Sequence, residues 1–199
     1  QYVQLPYEIA GSDELTVALW VKWRSTTAWQ RIFDFGTDTD HYMFLTPNNS
    51  YTNVMRFAIK NGGSEQTLDC KTRLTTQQWK HVVVTIAPGR TAIYVDGEEA
   101  ASTSGITITP ADVSPVLNYL GRSQFTADTF LMADLDDVRI YNYAVSADEV
   151  KAIMNGDAPT PVESVVTTAR PAAVYGLDGV SREAPRRGLN IIDGKKVIR

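Results

Sequence analysis

Short apolar runs bounded by Gly, Pro, Asn or Asp recur along most of the chain, which is the pattern of antiparallel strands. Residues 15–23, LTVALWVKW, alternate so that Leu15, Val17, Leu19, Val21 and Trp23 share one face of a strand. Comparable runs at 31–36, 42–46, 54–60, 66–71, 79–87 and 91–102 predict further strands. Within the last of these, Asp96-Gly97 separates AIYV from EEAA and predicts a two-residue hairpin, because Gly accepts the positive φ of a twist-matched turn. Only one segment reads as a helix: Ser146 is placed to cap it, Glu149 completes a capping box, Val150 and Ile153 supply the apolar stripe, and Gly156 stops it. Many strands with one helix imply a sandwich or barrel, not alternating βα units.

At Asp157 the pattern changes. Three prolines with several Ser and Thr predict a linker over 157–171 after a main domain of 1–156. Residues 172–199 carry two apolar runs and an Asp193-Gly194 turn signal, enough for a small hairpin but not for a core of its own.

Composition narrows the partners. The 199 residues are 43% hydrophobic and 21% charged, sufficient for one full core. A net charge of −4 with the signs interspersed gives no basic stripe, so nucleic acid and anionic membrane surfaces are not expected partners. No apolar stretch reaches the roughly 18 residues a membrane span requires. The single cysteine, Cys70, excludes an intrachain disulfide and a thiolate metal cluster.

The runs in order, YVQLP, LTVALWVKW, WQRIFDFG, YMFLTP, RFAI, WKHVVVTI with AIYVDGEEAA, NYLGRS and finally DLDDVRIYNYAVSADEVKAI, resemble a laminin-G-like domain of the concanavalin A-like superfamily over about residues 1–155. The resemblance implies an all-β fold: a two-sheet antiparallel β-sandwich of jelly-roll type, with residues 135–156 as its last strand and its short helix at 146–155. Relatives of this kind usually carry a further strand before the YVQLP equivalent, so the chain is expected to be a piece of a longer protein or one whose first strand is supplied elsewhere. Such domains accompany secreted glycoside hydrolases, notably in Bacteroidetes, and residues 188–197, GLNIIDGKKV, resemble the sorting-type tails of exported proteins in that group. The implied location is extracellular, periplasmic or at the bacterial cell surface, beside a catalytic domain of the same protein.

Enzymatic signals are weak. Retaining hydrolysis on this fold needs two facing carboxyl groups about 5 Å apart, and no Glu-x-Asp-x-x-Glu strand is present. His41 and His81 belong to no nucleophile motif and read as a loop residue and a structural strand residue. No catalytic residue is assigned. Calcium is the cofactor the resemblance implies, held by Asp136 or its neighbour Asp137 on the closing strand; pairing of these acids with Arg139 or Arg31, or plain solvation, is the alternative.

Sugar binding needs rings to stack on and polar groups to hold hydroxyls. Trp29, Tyr42, Tyr51 and Phe125 fall in or beside predicted loops, near Asn48 and Arg122. The candidate carbohydrate-binding set is therefore Trp29, Tyr42, Asn48, Tyr51 and Arg122, with core packing open as the alternative role of Trp29. Trp20, Trp79, Phe33, Phe35, Phe44 and Phe57 are expected in the core. Residues 46–53, TPNNSYTN, form either a groove wall or a long turn. The reading that follows is a non-catalytic module binding polysaccharide or oligosaccharide. Its rivals are a structural or protein-interaction module supporting a neighbouring catalytic domain, and a fragment of a glycan-active hydrolase.

Overall fold

The computed structural model describes residues 1–157 and, beyond them, the backbone of four short strands at 174–175, 181–182, 189–192 and 195–198. The chain divides into two compact units, Gln1–Thr160 and Pro161–Arg199.

The first unit holds β1 (Val3–Leu5), β2 (Leu15–Trp23), β3 (Phe33–Gly36), β4 (His41–Thr46), β5 (Arg56–Asn61), β6 (Gln66–Asp69), β7 (Trp79–Ala87), β8 (Arg90–Val95), β9 (Glu98–Thr103), β10 (Leu117–Leu120) and β11 (Ala133–Tyr141). It also holds a 3₁₀ turn, Tyr7–Ala10, and two helices, α1 (Pro110–Val113) and α2 (Ala147–Met154). The strands form a six-stranded sheet in the order β1-β10-β3-β4-β5-β6 and a five-stranded sheet in the order β11-β2-β7-β8-β9, antiparallel throughout. This is the two-sheet all-β sandwich that the resemblance implies, and β2 turns inward the face that its alternation predicts. Leu15, Val17, Leu19, Val21 and Trp23 join Phe33, Phe35, Met43, Leu45, Phe57 and Ile59 of the other sheet in one buried cluster.

Three aromatic expectations are corrected. Trp20 points out of the sandwich and packs on His81 with ring centroids 5.3 Å apart, and Trp79 is exposed at the start of β7. Phe44 is buried, but on the outer face of its sheet, because Met43 and Leu45 take the core-facing positions of β4. A second helix, α1, also escapes the sequence pattern. Its four residues are too few to show a period, although Thr109, Pro110 and Asp112 form a complete capping box with Pro at the first turn.

The local signals elsewhere appear as expected. Asp96 and Gly97 have φ of 51° and 81° and join Val95 to its partner Glu98. Ser146 accepts the Glu149 N–H, while Ser146 N–H donates to Glu149 Oε2 at 2.7 Å. Capped in this way, α2 lays Val150 and Ile153 over Ala18, Val83, Ala92 and Tyr94 on the outer face of the five-stranded sheet.

In the second unit β12 (Val174–Tyr175) pairs with β13 (Ser181–Arg182) and β14 (Leu189–Ile192), and β14 pairs antiparallel with β15 (Lys195–Ile198), Leu189 facing Ile198. The expected linker, beyond Asp157, and the Asp193-Gly194 turn lie outside the described residues.

Candidate functional site

Register builds the floor of the site. On the outer face of the six-stranded sheet Tyr119, Asp34, Phe44, Ala58 and Thr67 lie side by side across β10, β3, β4, β5 and β6. Two residues from Phe44 in either direction, Tyr42 and Thr46 face the same way. The Tyr42 and Phe44 rings stack 5.5 Å apart with 24° between their planes. Gly36, opposite Tyr42, admits no side chain, since a Cβ there would meet His41 O at 2.6 Å.

Three loops raise walls around these rings. Trp29, before β3, has a left-handed backbone, φ 59°, which for a tryptophan is strained. Its N–H donates to Asn48 O at 2.9 Å and its carbonyl accepts from Arg31 Nη1 at 2.6 Å, so both sides of the strained residue are pinned. The β4–β5 loop brings Tyr51, whose ring meets Trp29 edge-on at 5.6 Å. The β10–β11 loop brings Phe125, edge-on to Tyr42 at 5.5 Å, and Asp128. Together Trp29, Arg31, Tyr42, Phe44, Tyr51, Arg56, Glu65, Phe125 and Asp128 line an open basin of about 310 Å³. That is near the lower end of the range for small-ligand sites.

The charges in the basin are tied to one another. Arg31, with 3% of its side chain exposed, lies 3.8 Å above the Phe44 ring and pairs with Asp128 Oδ2 at 2.9 Å and Asp34 Oδ2 at 3.3 Å. Burial works against the Arg31 charge, and Asp34 and Asp128 offset it. Burial pushes the Asp34 carboxyl up, to about 7, against the pull of Arg31 and of the Gln124 N–H that Oδ2 accepts at 3.0 Å. Asp34 Oδ1 is sealed without a hydrogen-bond partner among the described residues. Arg56 grips Asp69 through Nε and Nη2 at 2.6 and 2.9 Å. Tyr42 Oη donates to Glu65 Oε2 at 2.5 Å, and burial with this carboxylate raises the Tyr42 pKa.

The structure brings together Trp29, Tyr42 and Tyr51 of the predicted set. Asn48 stays outside the basin. It is buried, donates through Nδ2 to Thr26 O at 2.8 Å, and acts on the site through the carbonyl that holds Trp29. Arg122 lies instead over the Tyr2 and Tyr119 rings, 4.7 Å from each centroid. Asp136 and Asp137 sit at a bulge of β11, where Asp137 has φ 47° and pairs both its oxygens with Arg139 at 2.8 Å. Among the described residues no three His, Cys, Asp or Glu side chains gather to hold a metal. His81 is buried under Trp20 and its pKa is lowered by burial; Cys70 is buried, its thiol pushed up to about 12.

Sequence reasoning missed Arg31, Phe44, Arg56, Glu65 and Asp128. Phe44 had a signal: apolar residues at four successive positions of β4 mean that both faces of the strand are covered. An arginine entering an apolar strand, as Arg31 does, was a second. Glu65 and Asp128 are loop residues whose convergence no local pattern encodes.

The family model of the Concanavalin A-like lectin/glucanases superfamily named Laminin_G_3 matches residues 1–151. No curated protein sequence matches the chain. Among solved structures, domain 4 of AbnA, a GH43 extracellular arabinanase from Geobacillus stearothermophilus, in complex with arabinotriose, is 21% identical with a TM-score of 0.66, over 77% of this chain and 72% of that one. The CBM40 of the Ruminococcus gnavus IT-sialidase bound to α2,3-sialyllactose is 15% identical with a TM-score of 0.62, over 77% and 96%. The heptameric SAP-like pentraxin of Limulus polyphemus is 16% identical with a TM-score of 0.54, over 78% and 74%. At these identities the likeness is one of fold.

Proposed function

Because the chain belongs to the Laminin_G_3 family of the concanavalin A-like lectin/glucanase superfamily, we propose that it is a non-catalytic carbohydrate-binding module, an accessory to an exported glycoside hydrolase. One observation carries the reading: a basin of five loop and strand rings, Trp29, Tyr42, Phe44, Tyr51 and Phe125, stands on the outer face of a sheet whose other face already supplies the core. Rings of this kind offer apolar faces to sugar C–H groups, while Arg56, Glu65 and Asp128 offer partners to hydroxyls. The solved structures with arabinotriose and sialyllactose support such a role for this fold.

The charge arrangement favours binding over hydrolysis. A general acid must combine a raised pKa with access to the glycosidic oxygen. Asp34, whose carboxyl is pushed up to about 7, is fully buried beneath the basin. Binding by one shallow basin is expected to be weak and to gain from tethering to a catalytic domain. Affinity electrophoresis against soluble plant and host polysaccharides tests the reading: retardation by one glycan class supports it, and free migration in every gel overturns it.

A second role has separate support. Tyr2, Val3, Phe130 and Met132 are each between 44% and 58% exposed, and the Tyr2 and Phe130 rings stack 5.9 Å apart. A surface of this composition suits packing against a neighbouring domain. Phe130→Ser with Met132→Ser is then expected to weaken that contact while leaving glycan retardation unchanged.

A further inference from the structure

Both guanidiniums of the basin are already paired with carboxylates of the chain. Arg56 spends Nε and Nη2 on the two oxygens of Asp69, and Asp69 Oδ2 also accepts from Asn49 Nδ2 at 3.1 Å. Arg31 is held by Asp128, by the Trp29 carbonyl and by Asp34, and is sealed over Phe44. Two carboxylates, Glu65 and Asp128, line the basin beside these two cations, while Asp69 pairs with Arg56 from outside the lining and Asp34 is buried behind Arg31. An acidic sugar would share its arginine with an internal carboxylate while approaching Glu65 and Asp128, a juxtaposition of like charges that costs affinity.

The unfilled hydrogen-bonding capacity is of the opposite kind. The hydrogen bonds of Glu65 and Asp128 run through one oxygen each: Glu65 Oε2 takes the Tyr42 hydroxyl, and Asp128 Oδ2 takes Arg31 and the Ser123 hydroxyl at 2.9 Å. Glu65 Oε1 and Asp128 Oδ1 have no donor among the described residues. Ionised carboxylate oxygens accept and cannot donate, so they call for hydroxyl donors.

We propose that the basin selects neutral glycans over acidic ones: Glu65 Oε1 and Asp128 Oδ1 accept from sugar hydroxyls, the rings of Trp29, Tyr51 and Phe125 cover the sugar's C–H faces, and the carboxylates turn away uronic and sialic acids. This rests on the carbohydrate-binding reading and narrows it to a substrate class.

The test is affinity electrophoresis of the full chain at one ionic strength, in gels of neutral arabinan, xylan, galactan and mixed-linkage glucan, and in gels of polygalacturonate, alginate and hyaluronan. Retardation in at least one neutral gel, with none in the acidic gels and with loss of retardation in Tyr51→Ala, is the expected result. Retardation by acidic gels equal to or greater than that by neutral ones overturns the neutral selection and leaves carbohydrate binding standing. Retardation that survives both Tyr51→Ala and Trp29→Ala puts the binding outside the basin and overturns the inference. Free migration in every gel overturns the inference together with the function it rests on.

Discussion

The Arg31 guanidinium lies over one ring, its central carbon 3.8 Å from the centroid of Phe44. This contact joins the two parts of the site. Phe44 belongs to the sheet, and Arg31 holds the Trp29 carbonyl on one side and Asp128 on the other, so the walls are registered on the floor through one side chain. A buried, multiply paired arginine of this kind adds definition to a site more than it adds stability.

The rings of the basin are expected to separate into two groups. Tyr51 is 75% exposed, so Tyr51→Ala should lower glycan affinity about tenfold or more while leaving the melting temperature unchanged. Phe44 is buried beneath Arg31, and Phe44→Ala should cost about 3–5 kcal/mol of stability as well as binding. Titration calorimetry paired with thermal melts checks both; equal destabilisation by the two variants would argue that Tyr51 is a packing residue.

Asp34 makes stability depend on pH in a defined direction. Its folded pKa, about 7, lies above its ordinary value of 3.8, so between these values the native state holds the proton more tightly than the unfolded chain does. The Asp34 contribution is therefore fully present below about pH 4 and is lost as pH rises through about 7. His81, with its pKa lowered by burial, acts with the opposite sign as pH falls. The difference between wild type and Asp34→Asn isolates the first effect: urea melts from pH 4 to 7.5 should show wild type losing stability relative to the variant as pH rises.

The cap of α2 is a purely local prediction. Ser146→Ala removes the acceptor for the Glu149 N–H and should cost about 1 kcal/mol. That corresponds to a fall of roughly 2–4 °C in melting temperature. Glycan binding should not change, because α2 covers the five-stranded sheet and the basin stands on the six-stranded one.

Asp137 is engaged by Arg139 through both oxygens, which leaves calcium little to take at the β11 bulge. Melting temperatures in excess calcium and in chelator are expected to coincide. A rise with calcium that Asp136→Asn and Asp137→Asn abolish would place an ion there instead.

Cys70 is buried and its thiol is pushed up to about 12, so it carries almost no thiolate near neutral pH. Iodoacetamide should leave the native chain unmodified and label it in denaturant, as followed by intact mass.

The features legible in the sequence are those that neighbouring residues settle among themselves. Alternation in LTVALWVKW assigns the core face of β2, Asp96-Gly97 supplies two positive φ values in succession, and Ser146 with Glu149 closes a capping box within one turn. Even Tyr42, Tyr51 and Trp29 could be marked as ring candidates from their places near loops. What the sequence could not convey was convergence: that Trp29 from one loop, Tyr51 from a second and Phe125 from a third meet over Phe44, that Arg31 is shared by Asp34 and Asp128, or that Asn48 and Arg122 serve elsewhere. Those relations depend on sheet order, which sets β3 between β10 and β4, and on strand register, which sets Asp34 opposite Phe44. Strand pairing joins residues that are far apart along the chain. The hydrophobic pattern therefore determined the core face of a strand that alternates cleanly, as β2 does, and only the tertiary structure decided the faces of strands apolar on both sides, such as β4, and which side chains share the outer face.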